Sequence, residues 1–186
     1  ISPHGKVPVL NVDDDVLFES NAIAEFLEEV VAPHLHPEDP IKRARNRAWT
    51  DFVPDFSKGL SAAYRRETVA EMEAGRPDAE KALGKLEDAI KAERGNDGPY
   101  FNGDTLCLVD AAYAPFFQRF MIAEEILNTG LLDGFPLVKA WCEALLASEL
   151  VTGSVADSFV PEFKASMKRY GYHIGNLFEQ EAVAAE

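Results

Sequence analysis

The chain has 186 residues, with 18 basic against 32 acidic side chains and a formal net charge of −14. That balance argues against nucleic acid and against anionic membrane surfaces, and any anionic ligand needs a local positive site. No stretch is long and apolar enough to span a bilayer, and none reads as a secretory signal. Cys107 and Cys142 lie far apart, without a C-x-x-C or a metal-ligand pattern, so two core thiols in a reduced, cytoplasmic protein are the expectation.

In chain order, Val7 to Val12 and Val16 to Phe18 carry the strand signals, joined by Asp13-Asp14-Asp15, whose short carboxylates suit a turn. Val7 precedes Pro8, which biases it to extended backbone able to pair with an extended ligand. From Ser20, the residues Ile23, Phe26, Leu27 and Val30 recur at helical spacing, and this helix is expected to stop before Pro33. A hydroxyl and free N–H groups at a helix start can hold a carboxylate; the plainer reading is a hairpin running into a capped helix. A lone hairpin is marginal in water, so this unit needs partners.

Pro33 to Pro40 is proline-rich and aperiodic, as an interdomain linker reads. His34 and His36 would need further ligands to chelate a metal, and the sequence offers none nearby, so no metal is expected. Beyond it the pattern is helical throughout. Asp39 is expected to cap and Pro40 to begin a helix with Ile41, Ala44, Ala48, Phe52 and Phe56 inward and a kink at Pro54. Lys42, Arg43, Arg45 and Arg47 form a basic run on it, read as a solvated face or an interface with acidic neighbours. A second helix is predicted from near Pro77 to Gly95. Cys107 stands where a capping serine or threonine is usual, with Asp110 in the reciprocal place of a capping box. Helices are predicted from Pro136, around Ser148 to Ala156, and from Pro161 through Phe163, Met167, Tyr170, Ile174 and Phe178; Glu179 to Glu186 reads as a frayed tail.

Gly5-Lys6-Val7-Pro8-Val9-Leu10, then Glu19-Ser20 opening a helix, then Gly103-Asp104-x-x-Cys107-x-x-Asp110 in an all-helical region, together resemble the glutathione S-transferases. The likeness covers essentially the whole chain and is nearest to bacterial omega-like or other cysteine- and serine-type members. It implies an α+β remnant of a thioredoxin-like domain (residues 1–32), a linker (33–40), an all-α domain (41–178) and a tail (179–186). It also implies that Val7 pairs through its backbone with the cysteinyl unit of glutathione and that Pro8 is a cis-proline. Glu19 and Ser20 would hold the γ-glutamyl amine and carboxylate, and Lys6 the glycine carboxylate. For Lys6 and Glu19 the alternatives are a solvated lysine and a strand-end carboxylate.

Family members begin with a strand–helix–strand unit that carries the tyrosine, serine or cysteine activating the sulfur. The resemblance therefore places the catalytic residue upstream of Ile1. A hydrophobic or electrophilic substrate would sit between the domains, with Phe56, Tyr64, Phe117, Phe120 and Phe178 as candidate lining or, alternatively, as core. A homodimer acting in detoxification is the implied setting. Glutathione-dependent thiol transfer or dehydroascorbate reduction, or a non-catalytic binding module, are the rival readings.

Overall fold

A computed structural model describes residues 2–184 of the chain. Strands β1 (Val9–Val12) and β2 (Asp15–Phe18) form an antiparallel hairpin in the register Val9↔Phe18, Leu10↔Leu17, Asn11↔Val16 and Val12↔Asp15. The turn is closed by Asp13 in the left-handed region (φ 51°), which aspartate tolerates because its short side chain bonds locally. Helix α1 (Ser20–Val30) follows at once and packs on both strands through the face that buries Ile23. It stops three residues short of Pro33, as the sequence predicts.

The proline-rich segment after α1 is not a free tether. Glu28 on α1 accepts from the Leu35 and His36 N–H groups at 2.8 Å each. Glu25, one turn earlier, accepts from His36 Nε2 at 2.8 Å and from Arg47 Nε at 2.9 Å. Two carboxylates on one helix thus hold the segment against the helices that follow. The Arg47 bond, opposed by some burial and aided by His36, keeps the Glu25 carboxyl below its usual range. His36, read as a linker histidine, is buried in this contact.

Helix α2 (Pro40–Asp51) starts as expected, Asp39 accepting from the Ile41 and Lys42 N–H groups at 2.9 and 2.8 Å. Its inward face differs from the one predicted. Ile41, Ala44 and Ala48 are exposed, and Asn46 and Trp49 turn toward the body instead. The apolar residues at 41, 44 and 48 keep a helical spacing, but the larger Trp49 takes the core side. Of the basic run, Arg45 and Arg47 meet Glu93 and Glu25 within the chain. The kink expected at Pro54 is a full break: α2 ends at Asp51, Phe52 stands between, and α3 (Val53–Ala62) begins with Pro54 in the first turn, where its missing N–H costs nothing.

Helix α4 (Val69–Glu93) begins eight residues before Pro77, the start predicted from sequence. The true signal is Thr68-x-x-Glu71, a capping box with both arms formed, and Pro77 is carried inside the helix. Helix α5 (Leu108–Leu127) is the central element. Its N-cap is Cys107, whose N–H donates to Asp110 Oδ2 at 2.7 Å. Asp110 is fully buried and its other oxygen accepts from Phe101 N–H (2.9 Å) and Trp141 Nε1 (2.6 Å), so it joins the incoming loop, α5 and the next helix.

A 3₁₀ turn (Leu131–Gly134) leads to α6 (Pro136–Ala147), then α7 (Glu149–Thr152), α8 (Phe159–Arg169) and α9 (His173–Ala184). The single helix predicted from Pro161 through Phe178 is two helices, divided where Gly171 takes φ 74°. The predicted frayed tail is helical through Ala184, and its last two residues lie outside the described residues. Trp141 packs against Phe101, Tyr113 and Phe117 at ring-centroid distances of 5.3–5.6 Å, and this aromatic group is the centre of the core. No described helix is long and apolar enough to cross a membrane.

Candidate functional site

Extending the hairpin register beyond Val9↔Phe18 sets Pro8 opposite Glu19 and Val7 opposite Ser20. The ladder does not continue there. The Val7–Pro8 peptide is cis, and Glu19 stands at φ 68°, ψ 122°, a conformation that a residue with a Cβ holds only under strain. Val7 is 91% exposed, and its main chain makes no hydrogen bond among the described residues. An extended backbone edge is therefore open beside a helix start.

That start is also open. The first helical bond of α1 is Ile23 N–H to Glu19 C=O at 3.0 Å, which leaves the N–H groups of Ser20, Asn21 and Ala22 free of the helix. Ser20 is the first helical residue rather than the cap, and no side chain caps this end. Asn21 reaches across to Asp51 at the end of α2 (3.1 Å), tying α1 to the helical part.

Val7, Pro8 and Ser20 border one cleft of 680 Å³ together with Asn21, Ala24 and Glu25 of α1. Its opposite wall comes from the helices. Thr50 and Val53 stand where α2 passes into α3, and Arg65 follows the end of α3. From α5 come Leu108, the pairs Ala111–Ala112 and Pro115–Phe116, and Arg119, recurring with the helical turn so that one face lines the cleft. The site is thus an edge of open backbone facing a mostly apolar wall that carries Arg65 and Arg119, with Glu25 already engaged by Arg47 and His36.

Lys6 and Glu19 are exposed beside the cleft and do not border it. The aromatic candidates are placed elsewhere: Phe56, Phe117 and Phe120 are 0% exposed, Tyr64 2% and Phe178 6%, and none borders the cleft. Phe56 and Phe117 pack on each other at 5.5 Å, Tyr64 on Phe120 at 5.7 Å, and Phe178 on Phe163 at 6.5 Å. Phe116, adjacent to Phe117 but turned about 100° around α5, is the ring that reaches the cleft. Sequence reasoning also passed over Arg65 and Arg119; the signal available was an arginine ending the small-and-apolar stripe of α5.

Neither cysteine is placed to act. Both are buried; burial pushes the Cys107 thiol up, with Asp110 adding to it, and pushes Cys142 up to about 12. A group that stays a thiol at neutral pH is a poor nucleophile.

By fold this is a hairpin and helix set on an all-helical domain, with one cleft bordered by both. The family models for the N-terminal and C-terminal domains of glutathione S-transferase match residues 1–30 and 69–144. The chain is 33% identical over 161 residues to a probable glutathione S-transferase, parC, of Nicotiana tabacum, the match covering 83% of this chain and 69% of that protein. It is 31% identical over 172 residues to glutathione S-transferase U19 of Arabidopsis thaliana, covering 89% and 75%. Among solved structures, glutathione transferase Omega 3C from Trametes versicolor superposes with a TM-score of 0.72 at 28% identity, covering 84% of this chain and 70% of that one. The tau-class enzyme MiGSTU from mango shares the fold at the same TM-score and 22% identity, covering 89% and 77%. The chain belongs to the glutathione S-transferase family.

Proposed function

We propose that the protein binds glutathione along Val7 and Ser20 and transfers it to, or uses it to reduce, an electrophilic or disulfide-type small substrate held in the cleft. The observation that supports this most is the convergence of an unpaired backbone edge at Val7 and an uncapped helix start at Ser20 on one cleft with an apolar far wall. The Val7 N–H and C=O take the cysteinyl unit, which aims its sulfur at that wall. The Ser20 hydroxyl and the free N–H groups of α1 take the γ-glutamyl carboxylate, Glu19 takes the amine, and Lys6 takes the glycine carboxylate, with Pro8 shaping the edge. Conjugation then requires the thiol to give up its proton and the sulfur to bond to an electrophilic carbon. A leaving group departs with the electron pair, or the addition product takes a proton.

Cys107 and Cys142 are buried thiols; the family resemblance assigns sulfur activation to a tyrosine, serine or cysteine of the strand–helix–strand unit with which family members begin. A cysteine there favours thiol transfer and reduction, whereas a serine or tyrosine favours conjugation.

Ser20→Ala in the full-length protein is expected to weaken glutathione binding, measured by titration calorimetry, about tenfold or more, because a hydrogen bond to a carboxylate is removed. The hydroxyl caps nothing in α1, so the melting temperature should stay put; unchanged affinity would overturn the assignment. The proposal includes a homodimer, supported by Ile41, 65% exposed beside Lys42 and Arg43 on α2. Sedimentation at low micromolar concentration is expected to give twice the chain mass.

A further inference from the structure

In a chain of net charge −14, the cleft holds two arginines. Neither Arg65 nor Arg119 forms an ion pair among the described residues, and Glu25, the carboxylate that borders the cleft, is taken by Arg47 and His36. Arg119 donates from Nη1 to the Pro115 carbonyl at 2.6 Å and lies over the Phe159 ring at 5.0 Å. Arg65 lies between the Tyr64 and Phe163 rings, 5.3 and 5.9 Å from their centroids. Its Nε is buried and has no hydrogen-bond partner among the described residues.

Their place along the cleft follows from how the helices run. Tyr113 OH bonds to the Trp49 carbonyl at 2.8 Å, Phe56 packs on Phe116 and Phe117, and Tyr64 packs on Phe120. The segment from α2 to Tyr64 therefore ascends alongside α5 in the same direction. Ser20 and Asn21 sit at the lower end, where Asn21 meets Asp51. Arg65 and Arg119 stand together at the upper end, and from Leu108 to Arg119 the α5 face climbs about 16 Å. Between them and the Val7–Ser20 edge the wall is apolar.

Two like charges here face each other's field in partly desolvated ground. Burial first, and then the charge of Arg65, draw the Arg119 pKa down from its ordinary value. With Glu25 already engaged by Arg47 and His36, an anion between Arg65 and Arg119 would relieve this repulsion.

We propose that Arg65 and Arg119 form an anion-binding end of the acceptor site, so that the protein takes hydrophobic electrophiles carrying a carboxylate on the side away from the reacting carbon. This rests on the glutathione reading for the chemistry but not for the binding. The fork of each guanidinium suits a planar carboxylate, and Phe116 and Pro115 flank the apolar body. The glutathione edge supplies the other end.

The test pairs 4-chloro-3-nitrobenzoate with its neutral amide, 4-chloro-3-nitrobenzamide, titrated calorimetrically into the full-length wild-type protein and its Arg119→Gln and Arg65→Gln variants, with glutathione binding measured in parallel. The benzoate is expected to bind at least about tenfold more tightly than the amide in the wild type. Arg119→Gln should abolish most of that preference, leaving amide and glutathione affinities within about twofold, and raised salt should weaken the benzoate but not the amide. Equal affinity for the two probes in the wild type, or a preference that survives both substitutions, would overturn the site. Benzoate preference without glutathione binding would instead overturn the glutathione reading and leave this one standing. Arg65 also packs on two rings, so if Arg65→Gln fails to fold, the probe pair on the wild type and Arg119→Gln decides.

Discussion

Asp110→Ala is expected to lower the melting temperature by about 10 °C. The carboxylate is fully buried and accepts three N–H groups: those of Cys107 and Phe101 on the main chain and that of the Trp141 indole. Alanine leaves all three donors without partners in a site water does not reach. An orphaned buried donor costs about 1–3 kcal/mol, and partial relaxation brings the total to about 3–5 kcal/mol. At 2–4 °C per kcal/mol for a chain of this size, the shift is about 10 °C. Asp110→Asn keeps the shape but only one acceptor oxygen. If that oxygen stays with Phe101 and Trp141, the amide N–H₂ confronts the Cys107 N–H, so the asparagine variant should melt between the other two. Thermal unfolding followed by circular dichroism reads all three; an alanine variant within about 2 °C of wild type would mean that Asp110 does not hold these elements together. The network matters to the site because α5, which it anchors, carries the apolar wall and Arg119.

The elements most legible in the sequence were those whose signals are local. Asp39-Pro40 gave the start of α2, Asp13 and its neighbours the hairpin turn, and Cys107-x-x-Asp110 the start of α5, because caps and turns are decided by two or three adjacent residues. Where sequence and structure differ, a second signal, local or nonlocal, outweighs the first. Pro77 looks like a helix start, yet the Thr68–Glu71 box begins the helix a full two turns earlier and the long buried stripe from Met72 to Ile90 carries it through the proline. Ile41, Ala44 and Ala48 have a helical period, but periodicity does not say which of two faces a bulky Trp49 will claim. The site divided in the same way. Val7, Pro8 and Ser20 lie close in sequence, and the hairpin register makes them neighbours. The far wall is assembled from α3 and α5, more than forty positions apart, and which rings face it depends on a helical phase that only packing sets; hence Phe116, not Phe117, reaches the cleft.

That packing can be tested on two glycines of the same helix, whose replacement by alanine should act with opposite sign. Both gain about 1 kcal/mol of helix propensity from the change, since both lie inside α4. At Gly84 the new Cβ would meet only the edge of Phe135, at 3.7 Å, an ordinary contact, so the propensity prevails and Gly84→Ala should raise the melting temperature by about 2 °C. At Gly75 the Cβ would stand 2.1 Å from the Ala62 carbonyl oxygen and 2.6 Å from its carbon. Those are backbone atoms at the end of α3 and cannot swing aside as a side chain does. Relief requires α3 and α4 to part along a face that buries Phe56, Leu60 and Leu83, and overpacking of that kind costs about 3 kcal/mol or more, well above the propensity gain. Gly75→Ala should therefore melt about 5–10 °C below wild type. Because Ala62 is followed within three residues by Arg65, the same displacement moves one of the two cleft arginines. The variant should lose benzoate affinity while keeping glutathione affinity, since Val7 and Ser20 sit at the other end of the cleft. Equal melting of the two alanine variants would show that α3 and α4 do not approach this closely, and the upper wall would then have to be built differently.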